Sequence, residues 1–326
     1  MEENTRHTAM VERAAKPVVV DSDVAPDDWV ALLLLLQRAD AEMRSVTVAG
    51  TGEVHPGPGV RNARRLAALV GRSDVPIAAG RAQPLQGKHR FPLLMRWMMD
   101  SLLFLGIPAA PRAASQQSAV QLLTSTIQGS PDKVTMIALG GLTNIAELFL
   151  AHPGLVSQVE MLYIMGGAVD MPGNIREIVP SSPNEFAEWN IYVDPHAAAV
   201  ALDSGVPITL VPLDATNQNP VTVEFAQRLE ADRGTPATDF VCRVLRRLQR
   251  LMGNRPFFLW DPMTVCVALD NSLGRFEERT LKIVEDEGPQ CGRILDVPGG
   301  RRVRVCQHID RERFEQTVLD SLNGRR

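Results

Sequence analysis

From Pro17 onward, short runs rich in β-branched residues alternate with longer segments of helical period, and this alternation limits the possible folds more than any other feature of the chain. The apolar runs are nearly continuous, as strands covered on both faces must be, so they read as strand–helix–strand units around a mostly parallel sheet. The pattern predicts strands over 17–20, 45–49, 76–79, 134–139, 161–165 and 208–212, and helices over 28–38, 59–70, 115–128, 144–151 and 195–203. After Pro220 it changes to helices over 223–232, 239–252 and 262–271, short antiparallel runs around Lys282 and Val303, and a final helix. No Pro-, Gly- or Ser-rich linker and no internal repeat divides the 326 residues. The expectation is one α/β domain over 17–326, a mostly parallel central sheet flanked by helices with an elaborated C-terminal third, behind a disordered tail over 1–16.

Composition excludes several function classes. Against 38 acidic residues stand 34 basic ones, a net charge of -4 that offers nucleic acid no electrostatic footprint. The longest apolar run, 29–36, is far too short to span a membrane. Cys242, Cys266, Cys291 and Cys306 lie far apart without a CxxC pair. That spacing argues against a disulfide scaffold and a thiolate zinc site, reads the thiols as packing residues, and fits a reducing cytoplasm.

Three long stretches, 81–115, 169–188 and 218–261, are placed to wall a pocket beyond the C-terminal ends of the strands, where parallel sheets bind ligands. The first strand ends there in VVVDSDVAPDDW, which brings Asp21, Asp23, Asp27 and Asp28 within eight residues. Carboxylates so crowded repel unless a cation sits among them, and an oxygen-only donor set suits calcium or magnesium. The blander reading has Asp27 and Asp28 capping the following helix while Asp21 satisfies nearby amides. A DxD after a first strand also opens haloacid-dehalogenase-type phosphatases, but Ala25 stands where that pattern wants Thr or Val, and the following Asp pair has no role there.

The block VVVDSDVAPDD resembles the DxDxxxDD fingerprint of the inosine-uridine-preferring nucleoside hydrolase family. Further blocks follow in family order: VRNARRLAALVG near Asn62, ALGGLTNIA around Leu139, IMGGAV with PGN and AEWNIYVDP, and WDP at Asp261. Together they cover roughly 17–322, nearly the entire chain. The resemblance implies a calcium ion held by Asp23, Asp28, Asp261 and the main-chain carbonyl of Leu139, with water and ribose hydroxyls completing the shell. It implies that Asp23 takes the proton of the attacking water, that Asp27 and Asn190 bind ribose hydroxyls, and that Asn174, Glu188 and Met165 hold the rest of the sugar. It also implies a small ribonucleoside substrate and assembly as a homodimer or homotetramer. For AEWN the ordinary alternative is a helix entry with Trp189 in the core.

Departures from the family pattern concern the base. Where pyrimidine-accepting and broad-specificity members have His before the late DP, this chain has Trp260, which cannot usefully donate a proton but can stack on a flat heterocycle. This WDP, with PLDATN replacing the common LDVTH, is similar to the purine-specific branch. Thr51 stands where Asn is usual, keeping a hydrogen-bonding group near the base or ribose. Trp97 is placed either as the opposite face of an aromatic sandwich or as an anchor of LLMRWMMDSLLFL as a helix. Glu53 either reaches the base or faces solvent, and His89 either approaches the base or is a mobile surface residue. The expectation is calcium-dependent, purine-preferring hydrolysis of ribonucleosides; its rivals are a nucleoside-binding protein without catalysis and a hydrolase of a modified riboside.

Overall fold

The computed structural model describes residues 15–101, 106–107, 110, 117–253 and 255–325. Its centre is a nine-stranded sheet of order β3-β2-β1-β4-β5-β6-β9-β7-β8. The parallel part comprises β1 (Lys16–Ser22), β2 (Ala41–Val48), β3 (Ile77–Ala79), β4 (Val134–Ala138), β5 (Val159–Met165) and β6 (Ile208–Val211). All six expected strands are present, and β2 begins earlier than the apolar pattern indicated because its outer residues, including Glu42, alternate towards solvent. Of the tail expected over 1–16, residues 1–14 lie outside the described residues, and Lys16 already pairs with Ala41.

The C-terminal third extends this sheet. β7 (Gly274–Ile283) and β8 (Ile294–Asp296) are antiparallel, whereas β9 (Arg301–Ile309) runs parallel to β6 and antiparallel to β7. The run around Val303 is therefore the seam joining the antiparallel edge to the main sheet. Strand order reverses at β1, which has β2 on one side and β4 on the other. In open parallel sheets such a reversal opens a crevice beyond the strand ends.

Helix Pro26–Gln37 follows β1 and is buried from Pro26 to Leu36. A helix apolar on all sides needs cover on all sides. It packs between the sheet and helices Pro56–Leu69, Pro236–Met252, Trp260–Leu269 and Arg311–Leu322. Trp29 meets Phe240 at a ring-centroid distance of 6.0 Å within this core. On the opposite face, helices Ala119–Gln128, Thr143–Ala151 and Pro195–Asp203 cover β4, β5 and β6. The stretch 81–115 contains a helix, Leu93–Met99, and 218–261 is mostly helical, so only part of each is loop. Among the described residues no helix is long and apolar enough to cross a membrane.

Candidate active site

The C-terminal end of β1 turns sharply into helix Pro26–Gln37. Val24 has φ +58, a left-handed conformation unusual for a β-branched residue and costing about 1–3 kcal/mol. The surrounding hydrogen bonds hold it there: the Trp29 indole N–H donates to the Val24 carbonyl at 2.6 Å, and the Val24 N–H donates to Ser22 Oγ at 3.0 Å. Asp28 stands in the first turn of the helix, accepting from the Ala25 N–H at 3.0 Å and from the Ser22 hydroxyl. Its helix-capping role is therefore real, and the same turn aims Asp23, Asp27 and Asp28 into the crevice.

Asp261 arrives from the start of helix Trp260–Leu269. Carboxylate oxygens of Asp27, Asp28 and Asp261 lie within 4.8 Å of one another, and all three residues are buried. Asp23, 3% exposed, adjoins this trio through Asp28. Burial, followed by mutual repulsion, pushes Asp27 up to about 7 and holds Asp28 and Asp261 well above the usual carboxylate range. Buried carboxylates this close fit a hard divalent cation, which would replace the protons they otherwise retain. The Leu139 carbonyl, one residue past the end of β4, accepts from Asn190 Nδ2 at 3.4 Å.

Asp23 is gripped by backbone. Its Oδ2 accepts from the Glu53 N–H at 2.9 Å. A Cβ on Gly52 would stand 2.2 Å from the Asp23 Cβ, and one on Gly140 would stand 2.9 Å from it. Only glycine lets both turns close on that side chain. Burial raises the Asp23 pKa, while its bonds to Asp28 and Glu53 and the charge of Arg96 pull the other way.

The segment after β5 supplies a second wall. Glu188 caps the short helix Trp189–Tyr192, with Oε1 accepting from Asn190 N–H at 2.8 Å and Oε2 accepting from Gly167 N–H at 2.9 Å. Burial nevertheless lifts its carboxyl to about 7. Asn190 Nδ2 also donates to the Met165 carbonyl at 3.2 Å, placing Asn190, Met165 and Leu139 at adjoining strand ends. Asn174 Oδ1 accepts from Trp189 N–H at 3.1 Å, tying the 169–188 stretch to the same helix. Trp189 does pack in a core, stacked on Phe91 with centroids 4.3 Å apart.

The residues expected at the base are distributed differently. Trp260 is half-buried beside Phe257 and Phe258, at 5.9 and 5.3 Å between centroids. Its indole N–H donates to Asn217 Oδ1 at 2.7 Å, so the departures in WDP and PLDATN form one physical unit. Thr51 is 2% exposed, and its hydroxyl meets the Thr143 hydroxyl at 3.2 Å beneath the Gly140–Gly141 turn. The shorter side chain thus reaches the start of helix Thr143–Ala151. Trp97 is 71% exposed on helix Leu93–Met99, so the helix forms without burying this indole.

Two neighbours of the acidic cluster carried no motif. Glu53 is half-buried: lost hydration, then the charges of Asp23, Asp27 and Glu188, holds its carboxyl well above the ordinary range. Arg96 is 4% exposed and donates through one guanidinium nitrogen to the carbonyls of Gly50 and Val54, both at 2.7 Å. It thereby fixes the loop whose Glu53 N–H holds Asp23. Only the pairing of an Arg with an otherwise apolar helix hinted at this, and its partners lie more than forty residues away.

A family model described as inosine-uridine preferring nucleoside hydrolase matches residues 18–316. The pyrimidine-specific ribonucleoside hydrolase RihA of Citrobacter koseri is 34% identical over 94% of this chain and 98% of its own length. The same enzyme of Escherichia coli O1:K1 is 33% identical with equal coverage. Among solved structures, an inosine-uridine preferring nucleoside hydrolase from Bacillus anthracis superposes with TM-score 0.82 at 25% identity, over 95% of this chain and 99% of that one. A purine-preferring ribonucleoside hydrolase from Gardnerella vaginalis gives TM-score 0.80 at 23% identity, over 95% and 98%, a likeness of fold.

Proposed function

Because the chain belongs to the inosine-uridine preferring nucleoside hydrolase family and is a ribonucleoside hydrolase cleaving the N-glycosidic bond, we propose that it works with calcium and prefers purine ribonucleosides, releasing free base and ribose. The observation that carries the metal is the buried trio Asp27, Asp28 and Asp261 with Asp23 beside it, an oxygen-only set lacking a partner of opposite charge within the trio. Asp23, Asp28, Asp261 and the Leu139 carbonyl would hold the ion, which when bound polarises the attacking water and anchors ribose hydroxyls.

The chain's own groups account for the remaining work. Asp23, oriented by the Glu53 N–H and enclosed by two glycines, accepts the proton of water attacking the anomeric carbon. Asp27 and Asn190 bind ribose hydroxyls, while Asn174, Glu188 and Met165 hold the sugar from the second wall. That grip keeps the anomeric carbon in line with the water as positive charge develops on the ring. The purine preference rests on Trp260, oriented by Asn217 to offer an aromatic face where a proton-donating His is absent. A pyrimidine preference is the second reading, favoured by the two pyrimidine-specific relatives.

The four buried free thiols support a reducing, cytoplasmic setting, and assembly as a homodimer or homotetramer belongs to the same proposal. Ribose release from inosine, adenosine, guanosine, uridine and cytidine, with calcium and after chelation, tests the reading beside Asp23→Ala. Purine-selective, calcium-dependent release that vanishes in the folded variant is expected. Undiminished turnover by Asp23→Ala refutes the mechanism, and uridine equal to inosine refutes the base preference alone.

A further inference from the structure

A second group of metal-ligating side chains lies outside the acidic crevice. His89 Nε2 stands 3.5 Å from Cys291 Sγ and 3.1 Å from a Glu287 carboxylate oxygen, and one donor atom from each of the three residues lies within 4.8 Å of the others. The three come from the stretch after β3 and from the connection between β7 and β8, so no sequence spacing announces them.

The bare side chains satisfy each other poorly. A single imidazole nitrogen faces both partners: with a proton it serves the carboxylate, and without one it accepts from the thiol while opposing the carboxylate lone pairs. Among the described residues the Cys291 thiol has otherwise only the Glu285 carbonyl at 3.7 Å. A cation between the three atoms resolves this frustration. In a tetrahedral zinc site, with bonds of about 2.3 Å to sulfur and about 2.0–2.1 Å to nitrogen or oxygen, neighbouring ligands stand about 3.3–3.5 Å apart. The observed separations of 3.5 and 3.1 Å approximate two such edges.

We propose that His89, Cys291 and Glu287 form a binding site for a borderline-soft divalent metal of the zinc class, distinct from the oxygen-only crevice. Nitrogen and sulfur donors select against calcium, so the two sites sort ions by chemistry. On binding, the thiol releases its proton and the imidazole lone pair and the carboxylate complete a three-ligand set, with solvent reaching the ion past Glu287, which is 68% exposed. The site is also connected to the sugar wall. The His89 ring lies 4.2 Å from the Tyr192 ring, and the Cys291 carbonyl accepts from Asn184 Nδ2 at 2.7 Å in the segment leading to Glu188 and Asn190. Metal here clamps the stretch after β3 against that segment.

Cobalt(II) is the probe, titrated into the full chain with calcium in excess to saturate oxygen-only sites. The expected result is one bound equivalent with a thiolate-to-cobalt charge-transfer band and intensified visible bands of tetrahedral geometry, both abolished by stoichiometric zinc. Cys291→Ser should remove the charge-transfer band, and His89→Gln should weaken binding beyond the about 10–100-fold typical of losing a group that merely supports a ligand. Circular dichroism verifies that both variants fold. A wild-type protein without the charge-transfer band, or a band that survives in Cys291→Ser, overturns the site.

Discussion

Replacing Asp21 by Asn should stabilise the metal-free protein, and by an amount that depends on pH. Asp21 is 2% exposed, accepting at Oδ1 from Thr47 at 2.6 Å and from Asn144 at 2.7 Å, while its Oδ2 has no partner. Burial pushes its carboxyl from 3.8 up to about 7 although both hydrogen bonds oppose the shift. As pH rises from about 4 to about 7, the unfolded chain releases this proton while the folded chain keeps it, so stability falls until the folded group also ionises. At about 1.36 kcal/mol per pKa unit, the shift of roughly three units costs about 4 kcal/mol above neutral pH. Asn mimics the protonated acid: it retains the Oδ1 acceptor and places an amide where the unpartnered oxygen stands. Urea unfolding in chelator should find the two proteins nearly equal near pH 4, with the variant ahead by about 4 kcal/mol near pH 8. A gap that stays flat across that range, or a variant less stable at alkaline pH, refutes the burial argument.

The same linkage predicts that calcium raises the melting temperature more at pH 8 than at pH 5, because at acid pH protons already occupy the raised Asp27, Asp28 and Asp261 carboxyls; differential scanning calorimetry with calcium and chelator measures it. Arg96→Met frees the Gly50 and Val54 carbonyls and loosens the grip on Asp23, so kcat should fall about 10–100-fold with a smaller change in KM, read by steady-state ribose release. Trp29→Phe leaves the buried Val24 carbonyl without its donor and should cost about 1–3 kcal/mol in urea unfolding. Asn217→Ala and Trp260→Phe should each lower kcat/KM for inosine more than for uridine, which parallel assays of the two substrates decide.

What could be read from the sequence was what is local. The six parallel strands are buried on both faces over most of their length, so their apolar runs are nearly continuous; the Asp-rich turn follows one of them directly, so its place beyond the strand end was legible. Asp261 could be assigned through family resemblance, since its meeting with Asp27 depends on how the helices pack. Glu53 and Arg96 could not be assigned from residue type: a lone Glu in a Gly-rich loop and an Arg in a Met- and Leu-rich helix ordinarily face water, and only the fold of 50–54 over Asp23 half-buries the first and buries the second. His89 could not be placed for the same reason, because Tyr192 and Cys291 reach it from over one hundred and over two hundred residues away.

The division between the two ends of the pocket follows from these origins. The acidic end is built at the switch in strand order, from β1, the end of β4 and one buried helix terminus, and changing it would disturb the core. In the reading proposed above the base end is formed by Trp260 with Asn217, side chains that can change without disturbing the sheet. Identity of 34% over 322 residues with a pyrimidine-specific enzyme does not by itself say which side chains face the base. Base preference should instead follow the indole and the amide that orients it, since the Trp260 N–H is already committed to Asn217 and leaves the ring face, with no proton to donate, as what it can offer a heterocycle. Exchanging both for histidine, Trp260→His with Asn217→His, should therefore shift the uridine-to-inosine ratio of kcat/KM upward without altering the calcium requirement. A ratio unchanged in that folded double variant would place the choice of base elsewhere in the pocket wall.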